Sequence, residues 1–194
     1  MEKGKKGQKK EPLDINQAPG IVREFSAGGI VFKKVKEREG RKVRIYWLVA
    51  KSSPTKGYPG NVWRFTKGWI DDCDDGQKPG PLASGEKKAN EADLQNAARR
   101  EVREEGGVEA KIIEKIGTER YFYTSKEGGK KLKFVTFYLM RWIKDMHQGP
   151  GFETEKVEWL EFEKARKKLS FSGEKKFLDQ AEKILDSGIQ ESLV

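Results

Sequence analysis

The 194-residue chain contains one cysteine, Cys73, and one histidine, His147. A single cysteine excludes an internal disulfide, and a reducing, cytoplasmic setting is the simplest reading. One histidine excludes a histidine-rich metal site, and Cys73 has no partner for zinc ligation. Apolar residues are scarce, 35% against 37% charged. No apolar run approaches the roughly 20 residues needed to span a bilayer. The opening MEKGKKGQKK is basic but has no apolar stretch behind it, so it does not read as a secretory signal. What is abundant is positive charge: 40 Lys+Arg face 31 Asp+Glu, a formal +9. That balance suits anionic partners such as nucleotides, polyphosphates or nucleic acid, although a lysine-rich tail also serves solubility.

The length suits one domain with a sizeable core. Residues 1–22 read as a flexible basic tail and 23–190 as the domain. Strands are expected at 25–34, 43–50 and 62–65, where β-branched, aromatic and small residues cluster between Gly/Pro-rich or charged loops. Residues 71–90 carry four aspartates and little apolar content, and read as a long polar insertion. A helix follows at 91–105, stopped by Gly106-Gly107. Strands are then expected at 110–123, 132–143 and 156–161. Helices are expected at 162–169 and 174–186, the last with Phe177, Leu178, Ala181, Ile184 and Leu185 at helical spacing.

The chemistry concentrates on the helix at 91–105. At about 100° per residue, Leu94, Ala98 and Val102 follow one apolar stripe. Asn96, Arg99, Arg100 and Arg103 occupy the other, solvated side. Glu101 and Glu105, one turn apart, fall with the apolar stripe, and Glu104 lies at its edge. Two carboxylates aimed at a core face are costly and repel each other. A divalent cation would compensate both; buried arginines are the alternative.

The segment Arg100–Val108, REVREEGGV, resembles the REUXEEXGU half of the Nudix box, where U is a bulky apolar residue. SAGGIVF, WLVA and WRFTKG before it, and VEWLEFEKA after it, agree, so the resemblance covers about residues 24–187. It is nearest the branch of diadenosine tetraphosphate hydrolases and diphosphoinositol polyphosphate phosphohydrolases, with Thr66 where that branch carries a proline. The first half of the box, G-x5-E-x7-R, departs. Counting forward from Gly68 reaches Asp74, and counting back from Arg100 reaches Ala92, beside Glu91. Glu86, Glu91 or Asp74 replaces the first glutamate, or none does.

The resemblance implies a Nudix-type α/β/α sandwich with a central mixed β-sheet. It implies hydrolysis of phosphoanhydride bonds with Mg2+, or Mn2+, as cofactor. Glu101 and Glu105 would be the principal ligands, Glu104 a further ligand or a support behind them, and the Gly68 carbonyl a contributor. Arg100 would orient the glutamates. The base would be a carboxylate, Glu104 or Glu105 on the helix or Glu153 from the opposite loop, with Glu155 its neighbour. Arg64, Lys67 and Lys133 are candidates for phosphate contacts. Tyr121 and Tyr123 share a strand face, where they either stack on a base or pack the sheet. The expected substrate is a nucleotide-type polyphosphate, a dinucleoside polyphosphate foremost, processed by a monomer or homodimer without a membrane. RNA 5′-pyrophosphate hydrolysis, nucleotide housecleaning and a non-catalytic nucleic-acid- or nucleotide-binding module are the alternatives. The 71–90 insertion is expected to act as a lid or specificity loop near the metal.

Overall fold

Small and β-branched residues make the first strand a hub. The computed structural model describes residues 21–37, 43–54, 60–73, 76–125 and 129–191, with side chains up to 187. Most of the expected tail, residues 1–20, and Asp74 lie outside the described residues. Strand β1 (Val22–Lys36) is buried continuously from Ser26 to Phe32, as a strand must be with neighbours at both edges and helices on both faces. Its small residues permit that crowding. A Cβ on Gly28 would meet the Thr66 carbonyl oxygen at 2.3 Å, and one on Gly29 would meet Val102 Cγ2 at 2.4 Å.

The remaining elements are β2 (Val43–Ser52), β3 (Trp63–Arg64), β4 (Thr66–Trp69), β5 (Asp72–Cys73), β6 (Lys78–Pro79), α1 (Glu91–Glu104), β7 (Val108–Thr124), β8 (Lys130–Asp145), β9 (Thr154–Leu160), α2 (Phe162–Lys168) and α3 (Ser172–Glu191). The main sheet runs β3-β2-β1-β8-β7, with β4 also pairing β1 and β9 pairing β2. β1 and β8 are parallel, from Val22↔Lys131 to Phe32↔Arg141. The other pairings are antiparallel, so the sheet is mixed, as the family resemblance implied.

Two cores flank it. On one face Ile30, Phe32, Trp47, Phe65, Phe137 and Leu139 pack with Leu178, Ala181 and Leu185 of α3. On the other, Ala27, Val31, Leu48, Tyr138 and Met140 pack with Ala97, Ala98 and Val102 of α1. Burying a leucine such as Leu178 contributes about 2 kcal/mol. Among the described residues, no helix is long and apolar enough to cross a membrane.

Helix α1 starts where Asn90 and Asp93 exchange side-chain-to-backbone hydrogen bonds at 3.0 and 2.8 Å, a capping box with Asp as the reciprocating acid. It stops at Gly107, whose φ of +64° suits glycine. The polar insertion is structured. Asp71 accepts hydrogen bonds from the Leu82 and Ala83 amides, and Phe25 N–H donates to the Ala83 carbonyl at 2.7 Å. Ala83 is fully buried and Leu82 packs on the α1 core. Its few apolar residues therefore anchor the segment to β1 and α1, while β5 and β6 pair with each other as a separate two-stranded sheet.

Candidate functional site

The site is built on one edge of β4. The expected strand at 62–65 is two short strands, because the chain changes neighbours there. Arg64 pairs with Ala50 of β2, and Thr66 pairs with Gly29 of β1. In an antiparallel pair, alternate residues turn both N–H and C=O to the same edge. Ile70 N–H donates to the Phe25 carbonyl, and the Thr66 carbonyl crowds Gly28. Thr66, Gly68 and Ile70 therefore face β1. Phe65, Lys67 and Trp69 face away, and all three are engaged there. Phe65 N–H donates to Glu174 Oε2 (2.8 Å), Lys67 N–H to Glu105 Oε2 (2.8 Å), and Arg100 Nη2 to the Trp69 carbonyl (2.6 Å). The expectation for the Gly68 carbonyl changes accordingly: it turns toward β1, and the Lys67 carbonyl faces the glutamates. Gly68 serves by its lack of a side chain, since a Cβ there would lie 2.3 Å from the Glu101 carboxylate.

Helix α1 delivers the carboxylates in the expected phase. Glu101 and Glu105 are 8% and 5% exposed, whereas Glu104 is exposed. Arginines compensate both buried groups: Arg64 Nη2 lies 2.8 Å from Glu105 Oε1, and Arg100 Nη2 lies 2.8 Å from Glu101 Oε1. Arg100 Nε is 3.7 Å from Glu104. Arg100 thus departs from its expected solvated face; its long side chain reaches back over the helix to the β4 edge. Burial pushes the Glu101 carboxyl up to about 7; Arg100 pulls it down, and the charges of Glu105 and Glu104 push it further up.

These groups lie at the foot of a cavity of about 1080 Å3. Its cations are Arg64, Lys67, Lys133, Arg99, Arg100 and Arg103; its carboxylates are Asp72, Glu101, Glu104, Glu105 and Glu153. Lys67 is only 9% exposed, and its ammonium makes no hydrogen bond or ion pair with a described residue. Burial and the neighbouring Arg64 lower its pKa to about 8. Burial lowers that of Lys133 too. Such a wall is electrostatically short of an anion.

The β8–β9 loop forms the outer wall. Gly151 N–H donates to the Glu104 carbonyl (2.6 Å), and Ser53 holds the Phe152 and Glu153 carbonyls (2.7 and 2.9 Å). Glu153 is exposed and lines the cavity, whereas Glu155 is drawn off by Lys51 at 2.8 Å. His147 is exposed on the same loop. The tyrosine pair does share a face, but neither ring lines the cavity. Tyr121 packs against the α3 core, where burial lifts its pKa to about 12. Tyr123 donates to Glu24 at 2.6 Å. Of the replacements for the first glutamate, Glu91 is held by Lys115 and Tyr138, away from the cavity, and Glu86 is exposed. Three contributors escaped sequence reasoning: Asp72, on the cavity wall; Phe152, 91% exposed at its rim; and Glu174.

Residues 35–181 match the NUDIX domain model, and the chain belongs to that family. The class so defined is that of the Nudix pyrophosphohydrolases, enzymes of acid-anhydride hydrolysis. Solved structures share the architecture. An Ap4A hydrolase of C. elegans, in a binary complex, is 20% identical, with 86% of this chain and 99% of that chain covered and a TM-score of 0.53. The NUDIX domain of Shewanella oneidensis NrtR, complexed with ADP ribose, is 15% identical, with coverage of 89% and 94% and a TM-score of 0.53. The MutT protein of Methanosarcina mazei Go1 is 14% identical, with coverage of 84% and 95% and a TM-score of 0.52. At these identities the likeness is one of fold. No curated protein matches the chain significantly.

Proposed function

We propose that this Nudix hydrolase is Mg2+-dependent and cleaves phosphoanhydride bonds in nucleotide-type polyphosphates, with dinucleoside polyphosphates the foremost class. The observation that carries the reading is the pair of buried glutamates, Glu101 and Glu105, in a cavity that also presents Arg64, Lys67 and Lys133. Their charges repel, and the carboxyl of Glu101 is held well above its ordinary value.

The residues present fit a magnesium ion. Among the described residues, no three His, Cys, Asp or Glu side chains converge as a ready-made cage. Magnesium does not need one, because it keeps several waters and is commonly bound through one or two carboxylates plus substrate phosphates. Glu101 and Glu105 would hold it, with Glu104 and the Lys67 carbonyl as further oxygen donors. The bound ion supplies charge neutralisation on phosphate oxygens and a water of lowered pKa. Mn2+, which also prefers oxygen ligands, would substitute.

The chain's own residues do the rest. Arg64 and Lys67 N–H hold the Glu105 carboxylate by both oxygens. Arg100 fixes Glu101 against the β4 edge. Lys67, Lys133 and Arg64 bind the phosphate chain and stabilise oxygen charge as the anhydride bond breaks. Glu153 lines the cavity without a cation partner among the described residues, and it accepts the proton of the attacking water. Glu104 also lines the cavity and is tied to Arg100. The single exposed cysteine is compatible with a cytoplasmic protein.

The test is hydrolysis of diadenosine tetraphosphate and ATP, with and without Mg2+, by wild type and Glu105→Gln. We expect turnover that EDTA stops and that the variant lacks, with the variant still folded. A variant as fast as wild type, or turnover indifferent to EDTA, would falsify the metal-site reading.

A further inference from the structure

The β4 edge carries a buried glutamate that the proposed chemistry does not use. Glu174 belongs to the first turn of α3, on the sheet face opposite α1, and is 1% exposed. It reaches through to accept Phe65 N–H at 2.8 Å. Phe65 lies between the pairing of β3 with β2 and that of β4 with β1, so its amide has no strand acceptor to use. Two residues further on, and on the same edge, Lys67 N–H holds Glu105. The α2–α3 junction grips this segment at a second point. Trp63 N–H donates to Ser170 Oγ at 3.0 Å, and Ser170 N–H to the Trp63 carbonyl at 2.9 Å.

We propose that Glu174 is a positioning residue for the hydrolytic site: from α3 it fixes the Arg64–Gly68 segment, and through it the placement of Glu105 and the Lys67 carbonyl. The inference rests on the metal-site reading above. A buried amide without an acceptor must find one by moving. Withdrawing the Glu174 carboxylate frees Phe65 to shift, and an extended chain passes that shift to the next group on the same edge. The Arg64 side chain and the Lys67 amide hold the two oxygens of Glu105, so both grips on that carboxylate move with the segment. Glu174 and Lys67 also influence each other electrostatically, each favouring the other's charged form against the burial that opposes it, and a glutamine keeps the hydrogen bond while removing that influence.

The variants Glu174→Gln, Glu174→Asp and Glu174→Ala separate these roles. Activity on diadenosine tetraphosphate is measured against Mg2+ concentration, with thermal unfolding followed in parallel. Glu174→Asp keeps the charge but falls short of Phe65, and Glu174→Ala loses both. For these two we expect the Mg2+ concentration giving half-maximal rate to rise about tenfold and kcat to fall about tenfold, with substrate KM changing less than twofold. Glu174→Gln should stay within threefold of wild type in both. A folded Glu174→Asp with the wild-type Mg2+ curve overturns the proposal, and so does a Glu174→Gln as defective as Glu174→Asp. If Glu174→Ala does not fold, the Asp and Gln variants decide. A wild-type protein without Mg2+-dependent turnover removes the metal-site reading itself, and this inference with it. An active wild type with unaffected variants removes only the role of Glu174.

Discussion

Replacing Glu101 with glutamine should make the metal-free protein more stable at alkaline pH while destroying its activity. Burial, with the charges of Glu105 and Glu104 added and Arg100 opposing, raises the Glu101 carboxyl from an ordinary 4.5 to about 7. The group therefore binds its proton more tightly in the fold than in the unfolded chain. Its stabilising contribution is complete below pH 4.5 and is lost as pH rises through 7. At 1.36 kcal/mol per pKa unit, full ionisation costs the metal-free fold about 3 kcal/mol. Glutamine removes that cost; the opposing pull of Arg100, 2.8 Å away, is already contained in the value of about 7. The gain at pH 8 is about 3 kcal/mol, or roughly 6–12 °C in Tm for a domain of this size. Thermal unfolding in EDTA at pH 8 and pH 5 measures it, and the gain should fall below about 1 kcal/mol at pH 5. Added Mg2+ at 100 times its Kd should then stabilise wild type by about 2.7 kcal/mol and leave the variant unmoved. A variant that melts at or below wild type at pH 8 in EDTA would show that Arg100 already satisfies Glu101, and the electrostatic case for a cation would collapse.

Other perturbations probe neighbouring parts. Gly68→Ala places a methyl 2.3 Å from the Glu101 carboxylate; we expect a Tm loss from about 1–3 kcal/mol of overpacking and at least a hundredfold fall in kcat, and a wild-type rate would disprove the close fit. Glu91→Gln tests whether Glu91 stands in for the first box glutamate. Held by Lys115 and Tyr138, it should leave kcat within twofold, and a large loss would restore it to the site. Asn90→Ala removes the α1 cap for about 1 kcal/mol, lowering Tm by a few degrees without changing activity per folded molecule.

How much of this was legible beforehand depends on which physical force placed each residue. Helical phase is a local property, so Glu101 and Glu105 could be assigned to the apolar side of α1 and Glu104 to its edge from spacing alone. The strands of the mixed sheet were legible for the same reason, because β-branched and aromatic runs declare themselves. Arg100 shows where phase stops being informative: its Cβ leaves the solvated face, but the long side chain beyond it carries the guanidinium back to the Trp69 carbonyl. The insertion at 71–90 looked empty because its composition is polar. Its order comes from one carboxylate, Asp71, bonding two amides eleven and twelve residues away, and no periodicity encodes that.

The β4 edge was the least legible feature, and the reason bears on the site. The sequence WRFTKG shows strand propensity but not where the chain exchanges β2 for β1. That exchange decides which carbonyl faces the glutamates, and it turned the expectation from Gly68 to Lys67. It also leaves Phe65 N–H without a strand partner, which is why a glutamate from a helix 109 residues away is needed there. A strand that changes neighbours must expose unpaired backbone groups, and buried ones must be met by side chains. In this chain the side chains that meet them are acids, Glu105 and Glu174, on amides two residues apart. The same irregularity in the sheet thus gathers a buried carboxylate beside an outward-facing carbonyl, which are the oxygen donors that a hard divalent cation prefers.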